Sequence, residues 1–286
     1  MKLSFMTLGC PAWDLDTICA RGREYGFDGV DFRGYLDTVD VTTLPMFSTH
    51  AAQTRRQLND AGLEVSCISS SIRVCAPDAH QENLDEAKRT IVTAHGLGAG
   101  IVRIFGSGFA SHDLETYSRA GLAHIGCEMV EEILSLDGAR AILWVFETHD
   151  LWIKARDCKL LLDSIPGPNF GALWDMGHTY RVGEETPEQT YAAIGPRVGY
   201  VHVKDAAFDP THPQAMREDF EGGERVGWRY VLPGAGQLPL AQSLGLLKAG
   251  GYNGWLLCEH EKRWHPELVE PEVIFPAFIK WARSLF

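Results

Sequence analysis

The sequence lacks the marks of several protein classes. Its seven cysteines are odd in number and include no Cys-x-x-Cys pair. That leaves no disulfide framework and no cysteine zinc site, and it points to buried, reduced thiols in a cytoplasmic protein. No apolar run reaches the roughly 20 residues of a membrane span. The opening Met1-Lys2-Leu3-Ser4-Phe5-Met6 is interrupted too early for a secretory signal, so neither membrane nor export is expected. A basic excess is also missing. Lys and Arg total 26 against 38 Asp and Glu, a formal charge of −12. Phosphate backbones attract the opposite sign, so nucleic acid is not an expected partner, although a local basic pocket for a small anion is not excluded. No linker or composition shift divides the chain, and residues 1–286 are expected to form one domain.

Short apolar runs alternate with amphipathic stretches along the whole chain. Strands are expected at 3–8, 29–33, 63–69, 101–105, 142–147, 170–175, 198–203 and 255–259. Helices are expected at 14–25, 48–61 (capped by Ser48), 83–97, 114–136, 152–162, 187–194, 240–249 and 271–285. Eight strand–helix units of roughly 35 residues match an α/β fold of the (β/α)8 TIM barrel type. An open doubly wound sheet is the alternative, but it gathers its chemistry at one switch point. Residues 206–237 exceed the usual connection length and read as an irregular insertion, either a lid over the site or a surface or oligomer contact.

Four successive strands of the second half end in charge. The runs end in Glu147-Thr148-His149-Asp150, Asp175-Met176-Gly177-His178, His202-Val203-Lys204-Asp205 and Glu259-His260-Glu261. In a (β/α)8 barrel, reacting groups sit at these C-terminal strand ends. Glu147, Asp175, His202 and Glu259 therefore read as converging on one divalent metal. Three carboxylates and one imidazole form a hard, oxygen-rich set. Mn²⁺ or Mg²⁺ suits it first, with Co²⁺, Fe²⁺ or Zn²⁺ also compatible. Four protein ligands leave two octahedral positions for adjacent oxygens of a polyol or hydroxyketone. A metal there would stabilise the enediolate formed when a proton leaves the next carbon.

Glu147 and Glu259 are the candidate acid/base pair. Lys204 lies on the same strand face as His202 and could bind a substrate oxygen; an ion pair with Asp205 or another local acid is its other reading. His178 could bind a substrate hydroxyl or orient a ligand. His149 and His260 are held as polar lining. Arg103, in mid-strand, is expected to point inward and pair with Glu147. Trp13 and Trp264 read as exposed aromatic walls for a sugar, and Trp174 as core.

On these residues the chain resembles the sugar phosphate isomerase/epimerase superfamily of xylose isomerase-like barrels. The resemblance rests on Phe146-Glu147-Thr148-His149, Trp174-Asp175-Met176-Gly177-His178, Val201-His202-Val203-Lys204-Asp205 and Cys258-Glu259-His260-Glu261. The tail from Glu261 to Glu272, with Lys262-Arg263-Trp264-His265-Pro266, supports it. It implies a metal-dependent isomerase or epimerase of a sugar, keto sugar or keto-cyclitol. The alternative is a lyase on the same site, an inosose-type dehydratase or a β-eliminating enzyme for 3-keto sugars. It also implies metal ligands at Glu147, Asp175, His202 and Glu259, a substrate-binding role for His178, and a dimer or tetramer. Ketose 3-epimerases place a substrate-binding arginine soon after the metal histidine. Here the sixth residue on is Phe208, and the nearest arginine is Arg217, inside the longer insertion. Endonuclease IV shares the barrel but takes extra histidine ligands from strands three and four. Those strands end here in Ser69-Ser70-Ser71 and Phe105-Gly106-Ser107.

Overall fold

The computed structural model describes residues 1–107, 113–220 and 223–285. Eight parallel strands close on one another: β1 (Lys2–Met6), β2 (Gly29–Phe32), β3 (Glu64–Arg73), β4 (Ile101–Phe105), β5 (Leu143–Glu147), β6 (Phe170–Asp175), β7 (Val198–Val203) and, after the insertion, β12 (Trp255–Cys258). Each neighbours the next around the ring, and β1 pairs with β12 to close it. The barrel expected from the alternation is therefore the fold observed.

The helices are α1 (Leu15–Tyr25), α2 (Ala51–Asp60), α3 (His80–Leu97), α4 (Asp113–Thr116), α5 (Arg119–Ser135), α6 (Ala155–Ser164), α7 (Met176–Arg181), α8 (Pro187–Ile194), α9 (Leu240–Ala249) and α10 (Pro271–Arg283). Local chemistry sets their ends. Asp14 caps α1 by accepting from the Thr17 amide at 2.9 Å, and Gly26 closes it at φ 85°. Thr186 and Gln189 form a capping box on α8, with Pro187 in the first turn.

Three helix expectations need correction. Ser48 does not cap α2; its hydroxyl donates to the Leu44 carbonyl at 2.9 Å, after a 3₁₀ turn at Pro45–Phe47. The long helix at 114–136 is two helices, because the Ser118 hydroxyl accepts from the Gly121 amide at 3.1 Å and starts α5 afresh. The short α7 follows β6 directly, over residues where no helix was expected.

Two packing layers result. A large apolar core fills the space between barrel and helices. A smaller one, with Met6, Leu8, Cys67, Val145, Leu173, Tyr200 and Leu257, plugs the barrel interior. The plug's polar atom is satisfied, since the Tyr200 hydroxyl bonds Ser66 at 2.7 Å and Ser4 at 3.2 Å. All seven cysteines are unpaired thiols, and six are buried.

The insertion is not irregular. β8 (Asp205–Phe208) pairs antiparallel with β11 (Trp228–Val231), and β9 (Arg217–Phe220) with β10 (Gly223–Val226). Four-residue strands rich in charge carry little alternation, which is why they escape a pattern reading. Residues 221 and 222 and the Arg217 side chain lie outside the described residues. Asp205 clips the two ends of the stretch together. It accepts the amides of Gly234 (2.8 Å), Gly236 (3.0 Å), Ala206 (2.8 Å) and Leu238 (3.4 Å). Gly236 is required there, because a Cβ would collide with that carboxylate.

Candidate metal centre

Glu147, Asp175, His202 and Glu259 come from the ends of β5, β6, β7 and β12, four consecutive positions on the rim. Asp175 and His202 are register partners. One ligand atom from each of the four falls within 4.8 Å of all the others. All four residues are buried, at 3%, 0%, 0% and 8% exposure. His202 Nδ1 lies 3.3 Å from Glu259 Oε1 and 3.6 Å from Glu147 Oε1.

The geometry fits a cation. Neither ring nitrogen of His202 has a hydrogen-bond partner, and neither does Asp175 Oδ2. Buried polar atoms without partners are costly, and a metal ion would satisfy several at once. Asp175 does two jobs with two oxygens: Oδ1 accepts the His178 amide at 2.8 Å and caps α7, while Oδ2, in no hydrogen bond, faces the cluster 3.3 Å from Lys204 Nζ. Charge tells the same story. Burial opposes a protonated His202, yet Glu259 and Glu147 overcome it and lift the imidazole to about 10. Burial likewise opposes ionisation of Glu147, but Arg103 and His202 hold it well below the usual carboxylate range. Lys204 and His202 bring Glu259 down to about 2 against the same penalty. The carboxylates are organised around positive charge.

Arg103 points inward as expected. Its Nε is 3.2 Å from Glu147 Oε2, and it donates to the Ser70 carbonyl at 2.7 Å. Lys204 Nζ stands 2.9 Å from Glu259 Oε2, 3.3 Å from Asp175 Oδ2 and 3.3 Å from Glu261 Oε2. Its partners are the site acids and not Asp205, which serves the insertion. Burial would strip its proton, but Asp175, Glu259 and Glu261 raise the pKa well above the ordinary lysine value. His178 is buried and its pKa is pushed well below the ordinary value by burial, with Lys204 adding to the effect. Its Nδ1 donates to the Thr148 carbonyl at 3.2 Å, which turns Nε2 toward Lys204 at 3.4 Å.

Above the cluster opens a cavity of about 680 Å³. Glu147, Glu259, His178 and Trp264 line it, and residues 213–216 of the insertion and Tyr230 form part of its wall. The Tyr230 hydroxyl donates to Glu261 at 3.2 Å. Trp264 is 48% exposed, as expected. Trp13 is not on this wall: it is 8% exposed and packs edge-on against Phe5 and Phe275 in the core. Apolar partners from β1 and α10 claim it. Trp174 is core, with its indole N–H on Thr179. His260 turns away to the Val269 carbonyl at 2.8 Å.

His149, held as polar lining, reaches the cavity with its ring 4.7 Å from His178. Burial opposes its charge, but Asp150 at 2.7 Å lifts it to about 9. Its position two residues after Glu147, on the same strand-end face, was the available signal. Arg33 and Glu261 also line the cavity and were given no role in the sequence reading, although both lie just past strand ends.

A model of the family described as xylose isomerase-like TIM barrel matches residues 19–285. An inosose dehydratase of Serratia proteamaculans (strain 568) is 32% identical over 104 residues, 35% of this chain and about a third of that protein's length. Among the solved structures that match over nearly the whole chain are these two. One is a probable 3-DHS dehydratase, AsbF, from Bacillus anthracis, with TM-score 0.75, 17% identity and 99% of each chain covered. The other is a D-psicose 3-epimerase from Clostridium cellulolyticum H10, solved with D-tagatose, with TM-score 0.74, 13% identity and 100% and 98% covered. At such identities these structures speak for the fold.

Proposed function

From the premise that this chain belongs to the xylose isomerase-like TIM barrel family, we propose that it is a divalent-metal-dependent isomerase or epimerase of a sugar, keto sugar or keto-cyclitol. It moves a proton next to a carbonyl, through an enediolate. The observation that carries this reading is the buried set Glu147, Asp175, His202 and Glu259, with ligand atoms within 4.8 Å and neither ring nitrogen of His202 in a hydrogen bond. These four residues would hold one ion, Mn²⁺ first by ligand type. When bound, it would polarise the carbonyl and offset negative charge developing on its oxygen.

The chain's own groups supply the rest. Glu147 and Glu259 flank His202, so one can take a proton from one face of the substrate and the other can return it to the opposite face. Lys204 keeps its charge and stands ready to neutralise a substrate oxyanion. His178, neutral and fixed by Thr148, offers Nε2 to a substrate hydroxyl. Trp264 gives an apolar wall for a sugar face. Arg217 opens β9 immediately after cavity residues 213–216, which makes it a candidate substrate contact.

A lyase on the same site is the second reading, and His149 favours it. Asp150 keeps this imidazole protonated at neutral pH on the cavity wall, two residues from Glu147. A cationic acid so placed can protonate a departing hydroxyl after the same enediolate forms. Elemental analysis of the wild type and of His202→Ala tests the shared premise. About one divalent ion per chain, lost in the variant, is expected; a wild type that takes up no metal after reconstitution would sink it. Incubation with ketoses and inososes then separates the readings. An epimeric sugar in the product marks the first, and a new ultraviolet-absorbing enone marks the second.

A further inference from the structure

The metal-ligand candidates occupy one half of the rim, and the other half carries an unmatched charge. Among β1 to β4, two guanidinium groups reach the cavity, those of Arg33 and Arg103. Arg103 is engaged by Glu147 and the Ser70 carbonyl. Arg33 is not engaged in this way. Its guanidinium donates to Ser71 Oγ at 2.8 Å, and it forms no ion pair within 4 Å with any described carboxylate. Glu86, Glu147 and Asp31 act on it electrostatically without pairing with it: Glu86 accepts the Ser71 amide at 2.6 Å, Glu147 is paired with Arg103, and Asp31 accepts from Ser69. Burial and the like charge of Arg103 lower the Arg33 pKa to about 10, so the group remains a cation at neutral pH.

A largely desolvated guanidinium without a carboxylate partner is expensive to keep. Lys204, beside the ligand cluster, shows what a satisfied cation looks like here, with three carboxylates around it. Arg33 has a single neutral hydroxyl, and its planar fork matches a carboxylate in two parallel hydrogen bonds. Its place on the ring adds a direction. β2 lies four strands from β6 by either route, so Arg33 faces Asp175 across the barrel mouth. A sugar-sized molecule held at the ligand cluster by one end presents its far end to Arg33. Met6, Leu8 and Phe105, which line the cavity from the same half of the ring, are apolar and offer the far end no competing anion site.

We propose that Arg33 binds a substrate carboxylate, and that the natural substrate is an acidic one: a keto or hydroxy acid of sugar or cyclitol size, charged at the end remote from the carbon that loses its proton. This rests on the metal-centred reading above and narrows its substrate class. Arg33 then sets specificity between acids and neutral sugars of the same skeleton.

Matched pairs test it by titration calorimetry on the Mn²⁺-loaded protein. D-fructose and D-fructuronate differ only in whether carbon 6 is a hydroxymethyl or a carboxylate, and D-tagatose and D-tagaturonate form a second pair. The acid of at least one pair is expected to bind about tenfold or more tightly than its neutral partner. That preference should weaken as NaCl is raised. Arg33→Gln should bring the acid down to the affinity of the neutral sugar, and Arg33→Lys should keep part of the difference. Equal affinities within both pairs, a preference that survives Arg33→Gln, or no binding of either acid overturns the inference. Metal content measured on the same samples separates the two levels: no metal is a failure of the metal-centred reading, whereas bound metal with no acid preference is a failure of this inference alone.

Discussion

Glu147 and Glu259 hold similar places at the cluster but lean on different partners, and replacing each should cost different things. Both Glu→Gln variants are expected to lose turnover by about 10²- to 10⁴-fold, the usual worth of a positioned acid or base. Stability should separate them. Glu147 is the carboxylate paired with Arg103, and both are 3% exposed. Stripping that partner leaves a buried charge alone, a loss of about 3–5 kcal/mol. Lys204 keeps Asp175 and Glu261 when Glu259 is neutralised, so Glu259→Gln should cost markedly less. Urea unfolding of the two variants checks the order, and equal losses would contradict it. Asp31 makes the opposite case. It is fully buried at the end of β2, with Ser69 donating to Oδ2 and Oδ1 unpartnered, and burial pushes it up to about 6. The folded state holds this proton more tightly than the unfolded chain does. The acid form is therefore favourable below about pH 4, and ionisation destabilises the fold progressively as pH rises to about 6. Asp31→Asn should stabilise the chelator-treated protein by up to about 3 kcal/mol at neutral pH, with the gain gone by about pH 4. A variant no more stable than wild type at neutral pH would show that Asp31 is paid for by its surroundings.

At the scale of elements, the parts legible in the sequence were those with long apolar runs. β7 is observed over the residues expected, Val198–Val203, and the rule that chemistry sits at C-terminal strand ends brought Glu147, Asp175, His202 and Glu259 together from runs far apart in the chain. Elements held by single hydrogen bonds were not legible. α7 exists because Asp175 caps it, and the break before α5 because Ser118 does, and neither leaves a periodic trace. Trp13 was misplaced for a related reason: its partners Phe5 and Phe275 lie at opposite ends of the chain. Arg33 obeyed the same rim rule as the ligands but stood outside the acidic pattern that drew notice to the second half. The insertion depends on Asp205 more than on its own strands. That carboxylate accepts four backbone amides from both ends of the stretch. Asp205→Ala strands these donors at about 1–3 kcal/mol for each one left buried. The expected result is faster proteolytic cleavage within residues 206–237 with the barrel otherwise intact. Unchanged cleavage would show that β8 and β11 hold the insertion unaided.

At the scale of the whole molecule, an ion held at the candidate centre would couple its binding to barrel closure. Its ligands lie between Glu147 and Glu259, and β12 reaches β1 only when the ring is complete. An unfolded chain scatters the four ligands, so an ion that binds the folded state stabilises it by mass action. At a free ion concentration about 100-fold above the dissociation constant, that gain is about 2.7 kcal/mol. For a chain of this size it corresponds to roughly 4–5 °C in Tm. Chelation of the wild type should lower Tm by that amount, and Mn²⁺ should restore it. The sign for His202→Ala is different. Removing the imidazole leaves Glu147, Asp175 and Glu259 facing one another, so the variant starts less stable, and it should respond to neither chelator nor metal. The response to metal is therefore the discriminating quantity, because the starting Tm falls whether His202 is a ligand or a packing residue. An equal Mn²⁺ shift in wild type and His202→Ala would place the ion elsewhere on this acidic surface, and the four strand ends would then be a buried ion-pair network alone.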